Sequence, residues 1–304
     1  MTITSTHPLA SLLRLSIPVM AKLVRRIPPV HWRVWFYQDR LRKLFSPLYA
    51  GNPADWTIIH DFDGSLKMKL RRSTYLGGLI YWHGYQSRNE LLLLNRLLSP
   101  DMTFVDIGAN MGEFTLFAAK RLTNGQVIAF EPQPSLYQLL QENIALNHFQ
   151  QVRTYNLALA DQPGTLTMYT STDAVAHAGV NEGLASLFQS TERAEVVGEV
   201  AVELLDTLLE HEPRIDFIKL DVEGAEPLVL RGAKKLLAKH KPQILMELNR
   251  EALTAGGSSP EFVLGELREL GYRFELVIND GRGLTRPTEA FPDLCDVLCI
   301  GDTH

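Results

Sequence analysis

Cysteine is scarce: two in 304 residues, Cys295 and Cys299, four positions apart in one apolar stretch. Four strand residues span about 13 Å, well beyond the roughly 7 Å over which a disulfide can close. The expectation is a pair of free, buried thiols in a reducing, cytoplasmic compartment. Without a third cysteine the usual iron–sulfur cluster of a radical enzyme cannot be held, and no Cys/His spacing suggests structural zinc. Long apolar runs are missing as well, because Arg14, Pro18 and Lys22 break the best window before it reaches the roughly 18 residues of a membrane span. A secretory signal fits poorly, since the basic residues follow the apolar stretch instead of preceding it. There is no convincing repeat or low-complexity tract.

Basic charge is absent where a nucleic acid would need it. The formal net charge is −5, and the positive residues crowd into the first fifty positions, where Arg14, Lys22, Arg25, Arg26, Arg33, Arg40, Arg42 and Lys43 face only Asp39. The remainder is acidic and carries no basic stripe, so no nucleic-acid partner is expected. Leucine, isoleucine, tryptophan and phenylalanine interleave the basic residues of the arm at 1–50. Such a cationic amphipathic segment either packs on the core with a solvated charged face or lies on the anionic inner face of a membrane.

What is present reads as an α/β core. Residues 51–100 form a lead-in: the stretch from Trp56 to Gly84 reads as strands, with a turn at Asp61–Gly64, and a leucine-rich helix follows over 89–98. Residues 101–304 form the main domain. Strand 103–107, helix 112–122, strand 126–131, helix 134–147 and strand 152–157 are two successive βα units, which imply a parallel sheet. A strand at 164–169 precedes a polar, lid-like insertion near 171–198. Strand 199–205 follows, then Asp206 capping a short helix, strand 215–221, one helix over 225–240, strand 243–248 and helix 260–270. The last two strands, 272–278 and 294–300, have no helix between them and must be antiparallel.

The most informative residues are Thr103 to Glu113. An apolar β-branched run stops at Gly108-Ala-Asn-Met-Gly112 and feeds a helix. Gly108 and Gly112 permit a tight turn, and the helix start aims unpaired amides at whatever sits there. The next strand ends in Glu131, about 20 residues on, where a carboxylate takes both ribose hydroxyls of a nucleotide-like cofactor; a purely structural strand-end acid is the competing reading.

Val105-Asp-Ile-Gly-Ala-Asn-Met-Gly112, Phe130-Glu-Pro132, Asn156-Leu-Ala-Leu-Ala-Asp161, Leu205-Asp206 and Ile218-Lys-Leu-Asp-Val-Glu-Gly-Ala-Glu226, in that order, closely resemble the FkbM family of S-adenosylmethionine-dependent methyltransferases from about Tyr81 to Ile300. The resemblance implies the class I methyltransferase fold, a Rossmann-like sheet mostly parallel with an antiparallel terminal strand. It also implies methyl transfer to a hydroxyl on a sugar, glycan, lipid-sugar or other natural-product acceptor. Asp106 then orients the glycine turn or meets the methionine amine, Gly108 and Asn110 face the methionine portion with Gly112, and Glu131 holds the ribose. Leu159 and Asp161 bracket adenine, although Asp161 equally suits a cap on the Gln162–Gly164 turn. Tyr85, Glu90, Ser186 and His177 are placed as acceptor contacts, with Gln86 standing where the family often has an acid.

A neutral hydroxyl is a poor nucleophile, so a base or a metal must help. Asp221 stands at the carboxyl end of a central strand, where either is wanted. Lys219 shares its face by period-two spacing and either pairs with Asp221 or acts as base if desolvation lowers its pKa. Glu223 is the second base candidate, against a reading as an ordinary helix-start acid. Asp221, Glu247 and Asn249 are a candidate oxygen set for a divalent cation, or a hydrogen-bonded polar rim. The rival to an enzyme is a noncatalytic cofactor-binding module recruited to a membrane or partner by the basic arm.

Overall fold

The computed structural model describes residues 17–23, 55–170, 186–188, 195–278, 283–285 and 291–301. Most of the basic arm, His177, and the insertion residues 171–185 and 189–194 lie outside these. The described residues fall into two compact units, the first ending at Gln86 and the second beginning at Ser87.

In the first unit β1 (Trp56–Phe62) pairs antiparallel with β2 (Leu66–Arg71). The alternation of β2, with Leu66, Met68 and Leu70 buried, follows its sequence period. Tyr75–His83, however, is a helix (α1) and not a strand. Its residues from Leu76 to His83 are all buried, so no polar face exists to reveal a helical period. Thr74 caps it, its hydroxyl accepting from the Gly77 amide at 3.2 Å, and Gly84 ends it in the left-handed conformation.

The second unit contains α2 (Arg88–Leu97), β3 (Thr103–Ile107), α3 (Glu113–Arg121), β4 (Gln126–Phe130), α4 (Pro134–Leu146) and β5 (Val152–Tyr155). After β6 (Ala158–Leu159), β7 (Gly164–Thr170) and β8 (Glu195–Glu203) come α5 (Leu205–Leu208), β9 (Phe217–Leu220), α6 (Glu226–Arg231), α7 (Lys234–His240) and β10 (Gln243–Asn249). The chain continues through α8 (Arg250–Ala255), α9 (Pro260–Glu269), β11 (Tyr272–Ile278), β12 (Gly283–Thr285) and β13 (Leu294–Gly301).

Eight strands form the main sheet in the order β12-β11-β13-β10-β9-β3-β4-β5. The run from β10 to β5 is parallel, and β13 inserts antiparallel between β10 and β11, as the helix-free connection required. This is the class I methyltransferase arrangement. Strand β3 is buried at all five positions, the pattern of a central parallel strand covered on both faces. Chain order reverses between β3 and β9, so their carboxyl ends flank a topological switch point.

A separate three-stranded sheet, β6-β8-β7, occupies part of the region expected to be irregular: β8 begins at Glu195. The expected helix over 225–240 is broken into α6 and α7 at Gly232. A Cβ there would stand 2.0 Å from the Ala160 carbonyl, so only glycine permits the approach. Asp206 does not cap its own short helix; its carboxylate accepts from the amides of Lys235 and Leu236 at 3.0 and 2.7 Å and caps α7. Cys299 is buried and Cys295 half-buried, and both are free thiols. No described helix is long and apolar enough to cross a membrane.

Candidate active site

The glycine turn is built against β9. Gly108 has φ +79, and a Cβ on it would lie 1.9 Å from the Asp221 carbonyl oxygen. Backbone meets backbone here, and no side chain fits between. Gly112, at φ +99, starts α3 with no side-chain cap. Asn110 also adopts positive φ, and its Oδ1 accepts from the Met111 amide at 2.7 Å. Asn143, fully buried on α4, donates to the Met111 carbonyl at 2.9 Å and fixes the far side of the turn.

Beneath it lies a charged lattice. Asp106 is completely buried; its Oδ2 accepts from the Thr115 hydroxyl at 2.5 Å and its Oδ1 is 3.9 Å from Lys219 Nζ. Lys219 donates to the Gly108 carbonyl at 2.9 Å, approaches Asp221 Oδ2 at 3.4 Å and lies 5.0 Å from the Phe114 ring centroid. Burial pulls the Lys219 pKa down, but the fields of Asp221, Asp106 and Glu131 outweigh it and the net shift is upward. That direction favours an ammonium paired with Asp221, at 3.4 Å, over a desolvated lysine base. Burial raises the Asp106 carboxyl, with Lys219 pulling it back. The burial of Asp106 places it under the turn as an orienting group.

Glu131 is also buried. Its two oxygens accept one backbone amide each, Asn110 at 2.7 Å and Gln133 at 2.9 Å, and burial pushes its pKa up to about 7. Leu159 is buried on β6. Asp161 Oδ2 accepts from Arg231 Nε at 2.8 Å, tying the β6 region to α6, and does not cap the turn that follows it.

Strand register puts further acids beside Asp221. Asp106 is opposite Lys219 on β3 and β9, Leu220 opposite Met246 on β9 and β10, and Glu247 opposite Asp296 on β10 and β13. Neighbours in register share a face. Asp106, Lys219, Asp221, Glu247 and Asp296 accordingly line one side of the sheet. Burial raises the Glu247 pKa, helped by Asp221 and Asp296; burial raises that of Asp296, helped by the charge of Glu90 on α2 and a hydrogen bond to it.

Carboxylate oxygens of Asp221, Glu223 and Glu247 lie within 4.8 Å of one another. Asn249 Oδ1 caps α8, accepting from the Ala252 amide at 3.2 Å, and so already carries a structural role. Glu223 has φ +52 and precedes α6, whose buried first residue, Glu226, folds back to accept from the amides of Val222 and Gly224. Burial pushes Glu226 up to about 7.

Of the expected acceptor contacts, Glu90 reaches the acidic row through Asp296. Ser186 is buried and bonded to the backbone, and so is corrected from an acceptor contact. Tyr85 belongs to the first unit, where its hydroxyl donates to Asp63 at 2.8 Å. Sequence reasoning missed Asp296, Glu226, Thr115 and Asn143. Asp296 could have been found, because in Cys-Asp-Val-Leu-Cys it alone interrupts an apolar strand with a charge.

Among curated proteins, the chain is 32% identical over 151 residues to Methyltransferase 1 of Beauveria bassiana (strain ARSEF 2860), covering 44% of this chain and 59% of that protein. It is 29% identical over 160 residues to the 31-O-demethyl-FK506 methyltransferase FkbM of Streptomyces tacrolimicus, covering 45% and 61%. The chain thus spans about three fifths of the length of both. A crystal structure of methyltransferase FkbM from Methylobacillus flagellatus KT aligns with 98% of this chain and 62% of that one at 14% identity and a TM-score of 0.41. The methyltransferase FkbM domain matches residues 106–274, more than half of the 304. With the glycine turn and the strand-end acids inside that match, this chain belongs to the methyltransferase FkbM domain family.

Proposed function

We propose that the chain is an S-adenosylmethionine-dependent O-methyltransferase acting on a hydroxyl of a sugar, glycan, lipid-sugar or natural-product acceptor. One observation carries the proposal: the turn that would cradle the methyl donor and the strand end that would deprotonate the acceptor are locked together, Gly108 against the Asp221 carbonyl and Lys219 bonded to both sides.

The residues fit the cofactor. An ionised carboxylate has about four acceptor directions. Glu131 uses one on each oxygen for backbone amides, which leaves one on each for the two hydroxyls of a ribose. Gly108, Asn110, Gly112 and the first amides of α3 would hold the methionine portion, and Leu159 the adenine ring. When bound, S-adenosylmethionine supplies an electrophilic methyl group on a cationic sulfur. Transfer of that methyl to an acceptor oxygen would break the sulfonium bond and release the hydroxyl proton, which a side chain of the protein must take. Asp221, with its side chain 36% exposed and Lys219 Nζ 3.4 Å behind it, is the group that takes this proton. Holding acceptor and donor in line supplies much of the remaining rate.

A second reading rests on the 4.8 Å grouping of Asp221, Glu223 and Glu247, which suits a divalent cation binding the acceptor oxygen. Exhaustive chelation separates the two: activity that survives it leaves Asp221 as base. The names of relatives such as 31-O-demethyl-FK506 methyltransferase support oxygen as the methylated atom. Incubating the protein with labelled S-adenosylmethionine and glycan, lipid-sugar and small-molecule fractions, with mass spectrometry of the products, tests the proposal. Methylated product lost in Asp221→Asn supports it. Cofactor binding with no turnover on any fraction favours a noncatalytic module instead, and salt-sensitive liposome binding lost on deleting residues 1–50 would identify the membrane as its partner.

A further inference from the structure

Ser186 is a small polar residue at 1% exposure, and its hydroxyl is used twice. It donates to the Glu223 carbonyl at 2.7 Å and accepts from the Phe188 amide at 3.1 Å. Its backbone exchanges two hydrogen bonds with Tyr169 on β7, at 2.8 and 2.9 Å. Glu223 is a non-glycine residue at φ +52, a conformation that persists only where its surroundings enforce it. The enforcement comes from identifiable atoms. Gly224, at φ +99, has room for no Cβ, which would lie 2.4 Å from the Ala252 carbonyl. The Phe188 ring fills the notch above Gly256, where a Cβ would lie 2.6 Å from Cε2 and 3.0 Å from the Gly224 carbonyl. Glu226 closes the loop from within through the amides of Val222 and Gly224.

We infer that Ser186 is a positioning residue that, through the Glu223 carbonyl and with Phe188 wedged on Gly256, holds the Asp221–Ala225 loop in the geometry that presents Asp221. The inference rests on the methyl-transfer reading for its consequence in rate. Ser186 lies 35 positions from Asp221 in sequence and touches neither reacting atom. Without its hydroxyl the Glu223 carbonyl loses a donor, the left-handed residue loses its tether, and Asp221 is delivered to the acceptor less often in the right orientation. Asn143 and Lys219 bond the cofactor turn directly, ahead of the Val222–Ala225 stretch that Ser186 tethers, so the turn should keep its place.

The test is Ser186→Ala in the full chain, read three ways. Amide hydrogen exchange at Val222 and Gly224 should quicken about tenfold, the loss of one buried hydrogen bond, while exchange in β3 and β4 stays unchanged. Calorimetry should give an S-adenosylmethionine Kd within about twofold of wild type. With an acceptor in hand, kcat should fall about tenfold or more at nearly constant KM. Unchanged exchange at Val222 and Gly224 overturns the inference, as does exchange that quickens everywhere, which would mark Ser186 as a general stabiliser. An unchanged kcat beside loosened amides overturns its positioning role. Wild-type protein that binds cofactor but methylates nothing sinks the enzyme reading instead, and the exchange experiment then still decides whether Ser186 holds the loop.

Discussion

Three glycines of the second unit differ in only two respects, backbone conformation and available space, and replacing each with alanine separates the two. Gly265 lies within α9 at ordinary helical φ with nothing within 4 Å of an added methyl, so Gly265→Ala should stabilise by about 0.5–1 kcal/mol through a less flexible unfolded chain. Gly257 has φ +72 and equally open space; its alanine meets only the left-handed penalty, about 1–2 kcal/mol. Gly108 combines φ +79 with a backbone oxygen 1.9 Å from the new methyl, whereas real Cβ atoms keep at least 3.0 Å. The β3 and β9 ends must part by about 1 Å, which strains the Asp221 amide bond to Ile107 and the Lys219 bond to Gly108. That is worth at least about 4 kcal/mol. At about 2–4 °C per kcal/mol for a unit of this size, melting should rise by a few degrees in the first variant, fall by a few in the second and fall by more than about 8 °C in the third. Calorimetry should find S-adenosylmethionine affinity intact in the first two and lost in the third. A Gly108→Ala protein that melts with Gly257→Ala and still binds cofactor would refute the close approach as the reason for this glycine.

Lys219→Met should destabilise by about 3–5 kcal/mol in urea, because Asp106 is left buried without a cation; adding Asp106→Asn should recover a large part, and additivity of the two would break the argument. Glu131 has a folded pKa raised by burial to about 7 from 4.5, so the proton it retains stabilises the fold fully below pH 4.5 and that stability is lost as pH rises to about 7, on the order of 2–3 kcal/mol. Glu131→Gln should flatten that slope in pH-dependent melting. Cofactor affinity, which uses the ionised form, should instead strengthen as pH rises through about 7; affinity independent of pH would remove Glu131 from the ribose role. Asn249→Ala should cost about 1 kcal/mol as a lost helix cap and leave any divalent-cation response unchanged, measured by melting with and without chelator.

The sheet was legible because its strands are continuous apolar runs ended by glycine, proline or acid, and parallel burial produces that signature directly. The cofactor turn was legible for a related reason: backbone proximity demands glycine, and glycine is visible in sequence. Helix α1 was not, since burial on every side erases the amphipathic period. The α6–α7 break was hidden as well, because Gly232 answers to the Ala160 carbonyl, 72 positions away. Side chains that serve the backbone at a distance were the hardest to read. Asp206 caps a helix two helices on, Asn249 caps the next one, and Ser186 serves a carbonyl 37 positions ahead. Each is a polar residue whose backbone partner is set by packing and leaves no mark in composition.

The paired hydrogen bonds between Tyr169 and Ser186 bring the chain back to the place it left. Two chain ends clipped together tolerate a change in the length of what joins them, since doubling a loop raises its closure cost by only about 0.6 kcal/mol. The stretch between those residues is therefore a natural graft point. Exchanging or lengthening it should leave Gly108, Glu131 and Asp221 in place, and the melting and cofactor affinity of such a graft would check this.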